Sequence, residues 1–326
     1  MKFRVTIFLV ILVLAVFLAG MLLGPVNISP VNAVKAVLGE ENELVKLVLI
    51  EIRLPRVILS LAIGASLGLS GAALQGLLQN PLAEPALLGA GPAAAFGAVL
   101  AFYFGWSDLT ALVLPLSGIG AALFATTLVW ALAGGRGKPE TIILAGVAIS
   151  SIAGSLTACA LNFAPNPFAA TEIIFWMMGS LADRSIEHVL LSLPFMIVGW
   201  MLLFSVRGPL DALALGAETA SSLGINMKSV SFRVIFGTAI AVGAATAVAG
   251  VVGFVGLAVP HILRPFVGHR PGALLIASAL GGAVMLGIAD VVVRVVSVGS
   301  ELKLGVLTSI IGFPLFLALI LKLRSS

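Results

Sequence analysis

The chain has 326 residues, 60% of them hydrophobic and only 10% charged, with a formal net charge of +4. Soluble domains carry about 25% charged residues, and a fold this apolar has too few polar groups to cover a water-facing surface. The composition therefore excludes an ordinary soluble protein and points to an all-α polytopic membrane protein, one transmembrane domain over residues 1–326 surrounded by lipid.

Lys2 and Arg4 precede an apolar run at 5–23. A signal peptide begins similarly, but this run reaches the roughly 20 residues that span a bilayer, and no small-x-small cleavage signal follows it. It reads as the first span. In the outer loop that follows, Ser29-Pro30 has the form of an N-cap with Pro at the first helical position. Val31, Val34, Val37 and Leu38 then share one helical face, which predicts a surface helix. Nine further spans are expected at 56–78, 92–104, 109–133, 141–163, 189–205, 230–250, 257–267, 272–296 and 305–321. The third and eighth are short, as the interrupted helices of transporters are.

The 18 Lys and Arg orient the chain. With the N-terminus inside, eleven lie on the inner side, among them Arg136, Lys138, Arg207, Arg233 and Arg270, and seven on the outer side. This distribution places both termini in the cytoplasm. It fits membrane orientation and argues against nucleic-acid binding.

Many of the 36 glycines fall inside spans. Helix-interior glycine costs about 1 kcal/mol against alanine in water, but in a membrane small residues let helices approach closely. Gly64, Gly68 and Gly71, with Ala72 and Ala73, form such a packing face. Shifting the chain by 179 positions pairs Gly64 with Gly243, Gly71 with Gly250, Pro81 with Pro260 and Gly89 with Gly268. The two copies, about 56–163 and 230–321, begin at the second and seventh spans. An odd offset of five spans makes them an inverted repeat, with the pathway expected near their interface.

Several chemistries are missing. Gly137-Lys138-Pro139 is no phosphate loop, and no H-E-x-x-H or G-x-S-x-G occurs, so the chain is not expected to be an enzyme. The lone Cys159 allows no intrachain disulfide and reads as a small buried hydrophobe. Three scattered histidines offer no metal spacing; no metal or cofactor is expected. Residues 57–139 hold almost no ionisable side chain inside spans. A mid-bilayer charge costs at least about 2.5–3.5 kcal/mol, which ion-coupled carriers accept. An ion-coupled secondary transporter is therefore the alternative reading and a partner ATPase the leading one; a non-transporting scaffold fits the glycines and the repeat less well.

The motifs arrive in a telling order. Arg53-Leu54-Pro55-Arg56 is followed by Gln79-Asn80-Pro81-Leu82-Ala83-Glu84-Pro85, Leu144-Ala145-Gly146-Val147-Ala148 and Trp176-Met177-Met178-Gly179. Gly253-Phe254-Val255-Gly256-Leu257, Val259-Pro260-His261-Ile262-Leu263-Arg264, Ala289-Asp290 with Arg294, Glu301-Leu302, Gly305-Val306 and Gly312-Phe313-Pro314 complete the series. This order resembles the FecCD family, permeases of type II ABC importers for iron–siderophores, haem and vitamin B12, over nearly the whole chain. The resemblance implies ten helices per subunit and a homodimer in the bacterial inner membrane with the pathway at its interface. It also implies cytoplasmic ABC ATPase subunits and an extracytoplasmic substrate-binding protein. Iron chelates are the commonest cargo in such a family.

Roles follow residue by residue. The resemblance implies that Arg53, Arg56 and Arg294 dock the binding protein's glutamates from the outer surface. Exposed guanidiniums suit that task, though interfacial snorkelling also accounts for them. Arg294 can pair with Asp290 at i, i+4. The stretch 213–228 resembles the family's coupling helices, with Leu213, Leu215, Gly216, Ala220, Leu223 and Gly224 as ATPase contacts. Asn80, Pro81, Glu84 and Pro85 form one expected inner turn or gate, and Pro260, His261 and Arg264 another; helix termination by proline explains them equally well. Lys303 departs from the family, which often has proline after Glu-Leu, and adds an outer cation.

Overall fold

The structure, a computed structural model, describes residues 2–26, 28–39, 43–106, 109–110, 112–134, 139–164, 166–268, 270–297 and 301–325. Among them the chain is helical, with no strand. Its helices are α1 (Lys2–Leu22), α2 (Pro30–Leu38), α3 (Glu43–Leu47), α4 (Leu54–Leu78), α5 (Ala90–Tyr103), α6 (Val113–Leu132), α7 (Pro139–Asn162) and α8 (Pro167–Met177). They continue as α9 (Ile186–Ser205), α10 (Arg207–Leu213), α11 (Ala217–Ser222), α12 (Met227–Ala249), α13 (Val255–Val267), α14 (Pro271–Val296) and α15 (Leu304–Ser325). A π-helical turn, Val48–Arg53, leads into α4, and a 3-10 turn, Pro85–Leu88, leads into α5. Arg136 and Lys138 of the expected inner loop lie outside the described residues.

Every expected span has a helix. Seven of them (α1, α4, α6, α7, α9, α12 and α14) are long and apolar enough to cross a bilayer, while α5, α13 and the apolar part of α15 are shorter. The short helix α8 was not anticipated. It starts as α2 does: Asn166 accepts from the Ala169 amide at 2.8 Å and Ser29 from the Asn32 amide at 3.2 Å, each with Pro at the next position. The apolar face of α2 is turned outward, with Val31, Val34 and Leu38 all exposed.

Here the end at which α4 begins is called the upper end. Two helix pairs organise the bundle. Along α4 and α14, Gly64 rests on Gly282 and Gly68 on Ser278, so closely that a methyl group on either glycine of α4 would overlap a main-chain carbonyl. Such contact replaces the hydrophobic drive that lipid cannot supply with dispersion between backbones. The second pair is α12 with α6, where Gly118 meets Ala247 and Gly243 meets Ala122. α4 packs on α13 and α14 and α12 on α5 and α6, while the two also pack on each other and share α9 as a neighbour. α1 lies along α14, with Val16 seated at Gly287.

Three expectations need correction. Pro81 lies in a turn but Pro260 is inside α13, and Gly89 precedes α5 whereas Gly268 follows α13. The 179-residue shift therefore does not pair like elements; α4 ends at Leu78 and α12 at Ala249, 171 positions apart. For the same reason Pro260, His261 and Arg264 form no inner turn, since α13 carries Pro260 and Pro265 within it. Cys159 is exposed rather than buried, because it lies on the side of α7 turned away from α5, α6 and the Pro85–Leu88 turn.

Candidate transport sites at the two ends of the bundle

The upper end holds an ion cluster. Arg56 Nε donates to Asp290 Oδ1 at 2.7 Å and its Nη2 to Glu301 Oε1. Arg294 Nη2 lies 3.0 Å from Asp290 Oδ2 and its Nη1 donates to the Gly20 carbonyl at 2.9 Å. Arg53 donates to the carbonyls of Met21, at 2.7 Å, and Val26. The expectation of exposed guanidiniums is thus corrected: Arg53 is 4% exposed and Arg294 7%. Burial follows from the carbonyls left unpaired at the C-terminal end of α1, which draw in two of the three cations. Arginine suits such a place because its forked donors stay charged when buried. Three arginines face two carboxylates, so the cluster keeps surplus positive charge. All three line a cavity of about 630 Å³ together with Glu301, Ser297 and an apolar wall that includes Val26, Leu44 and Ile52.

The lower end carries α10 and α11, joined through Gly216 at φ +107. Gln79 Nε2 donates to the Leu213 carbonyl at 2.7 Å, and the Gly272 amide to Asp211 Oδ1 at 2.7 Å. These two bonds tie the end of α4 and the start of α14 to the helix–turn–helix. Leu213 is 4% exposed and Ala220 fully buried, so neither is available to another subunit. Leu215 at 69% and Leu223 at 64% stand out from the surface, beside Gly216 and Gly224, where positive φ turns the chain. Of the expected contacts, the outward group is thus Leu215, Leu223 and the two glycines.

Between the ends, the chain after α4 folds back upward. Asn80 closes an Asx turn by accepting from the Leu82 amide at 2.9 Å. Pro85 then packs on Gly256, which also touches Gly71. Gly71 lies seven residues, or about 10 Å, above the end of α4, so Asn80, Pro81, Glu84 and Pro85 form a re-entrant turn. Glu84 Oε1 accepts from the Phe254 amide at 3.1 Å, at the residue that caps α13. A carboxylate suits a helix N-terminus. Burial nevertheless raises the Glu84 pKa, an effect the Phe254 amide partly offsets. Phe254 holds φ +66, a strained value for a non-glycine residue, with its ring against Gly312. Arg264 Nη2 donates to Gln75 Oε1 at 2.8 Å, which fastens α13 to α4.

Comparison with known proteins decides what these ends belong to. The FecCD transport family matches residues 11–322. The chain belongs to the FecCD family. This makes it a permease of the type II ABC importer class. FecCD relatives include the hemin transport system permease protein HmuU of Yersinia pestis, 38% identical over 84% of this chain and 83% of that protein. The vitamin B12 import system permease protein BtuC of Vibrio cholerae is 36% identical over 99% and 95%. A solved structure described as an inward-facing metal-chelate type ABC transporter superposes with a TM-score of 0.85 at 29% identity, covering 98% of this chain and 99% of that one.

Sequence reasoning overlooked the Glu84–Phe254 and Gln75–Arg264 bonds. Each spans more than 160 residues, and no local pattern encodes such a pairing. Among the described residues no cluster of metal-ligating side chains occurs.

Proposed function

We propose that this FecCD permease works as a homodimer in the bacterial inner membrane and carries an iron chelate inward, powered by two cytoplasmic ABC ATPase subunits and fed by an extracytoplasmic binding protein. Both termini are cytoplasmic, so the upper end faces outward. The observation that carries the reading is a continuous connection: α4 and α14 are locked together along their length, joined to the arginine cluster above and hydrogen-bonded to α10–α11 below. A load applied at either end is transmitted by this stiff pair.

Docking uses the cluster's surplus charge. A glutamate of the binding protein arriving over Arg53 and Arg56 competes with Glu301, whose side chain is 25% exposed. Exchange of one carboxylate for another keeps Arg56 paired throughout, so engagement avoids the cost of stranding a buried charge. Below, Leu215 and Leu223 enter a cleft of the ATPase, with Gly216 and Gly224 as turn points. Asn80, Pro81, Glu84 and Pro85 act as a hinge in the re-entrant turn that rises from the lower end, while Pro260, His261 and Arg264 move with α13 as one body.

The face of α7 bearing Ala148, Ser151, Ser155 and Cys159 is exposed, with Leu144 and Ile152 beside them. It supports a pathway shared with a second copy. The packing of α4 on α13 and α14 and of α12 on α5 and α6 supports an inverted repeat, about 56–163 and 230–321, as the frame for alternating access. Siderophore, haem and cobalamin all fit this scheme, and relatives are named for the last two.

The test is co-purification in mild detergent from the native membrane, then reconstitution. A P-loop subunit should come down in equal amount, and uptake into vesicles should require ATP and ignore proton and sodium ionophores. Isolation without an ATPase, with uptake that collapses alongside an ion gradient, would transfer the chain to the ion-coupled class.

A further inference from the structure

At the upper end, away from the arginine cluster, α5, α6, α8 and α9 surround a cleft of about 590 Å³. That volume suits a single small-molecule ligand. Its wall is aromatic: Phe102 and Trp176 meet edge to face with centroids 6.2 Å apart, and Phe168 and Phe175 stand exposed beside them. Two buried N–H donors among the lining residues, Trp176 Nε1 and Arg184 Nε, have no hydrogen-bond partner in the structure. Arg184 makes no ion pair among the described residues, and burial lowers its pKa, which the neighbouring Asp183 only partly offsets. Lys303, the residue that departs from the family pattern, reaches the same cleft with Nζ 5.4 Å from the centre of the Phe175 ring. Glu172 and Asp183 lie exposed and His188 half-buried around it.

Buried polar groups left without partners are rare in folded proteins and call for an explanation. Two unpaired donors, one on a guanidinium, set among aromatic rings match a ligand that brings its own anionic acceptor on a flat apolar body. We propose that this cleft binds a planar, carboxylate-bearing ligand, the carboxylate taken by Arg184 and Lys303 and the ring system stacked against Phe175 and Trp176. The inference deepens the importer reading, on which it rests for its role: the cleft is an outer subsite that favours acidic chelates over amide-fringed ones such as cobalamin. Charge-assisted bonds are about twice as strong as neutral ones, which is the physical basis for that preference.

The test is equilibrium binding to the full chain in lipid nanodiscs without any ATPase, with empty discs subtracted. Protoporphyrin IX serves as the planar diacid, its dimethyl ester as the uncharged control and cyanocobalamin as competitor. The diacid should bind at least tenfold more tightly than the ester. Arg184→Gln should weaken the diacid about tenfold and leave the ester unchanged, with Arg184→Lys in between. Trp176→Phe, which keeps a ring and removes the donor, and Lys303→Met should each cost two- to fivefold. Equal binding of diacid and ester, displacement by equimolar cyanocobalamin, or an Arg184→Gln variant that binds like the parent overturns the proposal. So does displacement of the bound diacid by an equimolar short-chain phosphatidic acid, since a lipid phosphate would then be the occupant. Because the measurement needs no transport, failed ATP-driven uptake with binding intact sinks the importer reading alone, and intact uptake with failed binding sinks only the subsite.

Discussion

α4 and α7 are built from similar residues and do opposite things. Each is a long helix rich in glycine, alanine and serine. Nineteen of the 25 residues of α4 are buried, against five of the 24 in α7. Gly64, Gly68 and Gly71 in α4 each abut a neighbouring backbone; in α7 Gly146 does so too, against Leu87, but Gly154 has nothing near it. A small residue therefore has no fixed meaning in a membrane helix. In α4 it brings two helices of one chain together; around Gly154 of α7 it leaves a smooth face for something outside the chain.

The sharpest way to break this contrast is a pair of substitutions. Gly68→Leu drives a side chain into the Ser278 carbonyl and should abolish monodisperse protein by size exclusion, overpacking alone costing about 1–3 kcal/mol or more. Gly154→Leu should leave the fold and its thermal stability unchanged while reducing uptake or dimer formation. Equal damage from both would show that the Gly154 face of α7 is packed against this chain after all.

Next in size is Asp290→Ala. It leaves Arg294 without an ion partner and Arg56 with Glu301 alone, and losing one member of a buried pair costs about 3–5 kcal/mol. Thermal unfolding should register this, and the double variant Asp290→Ala with Arg294→Met should recover part of it. Gln79→Ala removes a single bond to the coupling segment, about 1 kcal/mol. Stability should change little, but chelate carried per ATP hydrolysed should fall. A pronounced stability loss with unchanged coupling would refute the transmission role.

Glu84 gives a smaller, pH-dependent signature. Its pKa is raised above 4.5 in the folded chain, so the folded state holds more protons than the unfolded one between those two values. Its contribution is therefore full at low pH and is lost as pH rises through the folded pKa. Glu84→Gln keeps an acceptor for the Phe254 amide and should flatten that slope. The smallest effect is also the simplest to measure: Cys159, the single cysteine, should react with a water-soluble maleimide if the α7 face lines an aqueous pathway, and stay unreactive if lipid or tight subunit contact covers it.

Much of this was legible locally. Ser29-Pro30 announced α2, and Asn166-Pro167 carried the same signal for α8, where it went unread. The motif order gave the family, and the i, i+4 spacing of Asp290 and Arg294 gave one real ion pair. The 179-position shift pairs residues in unlike elements, because in so glycine-rich a chain many offsets align small residues.

The sequence by itself determined that the chain spans a membrane, where its helices lie and to which family it belongs. These properties follow from hydropathy, helix length and short motifs, all written along the chain. The tertiary structure alone decided that the three arginines turn inward to serve α1 carbonyls and two acids, that Leu213 and Ala220 are buried while Leu215 and Leu223 are not, and that Glu84 caps a helix 170 residues away. Those outcomes depend on which surfaces meet, and a membrane gives no local preference for one apolar contact over another. Only the simultaneous fit of glycine-lined helices and the few polar bonds between them selects the arrangement.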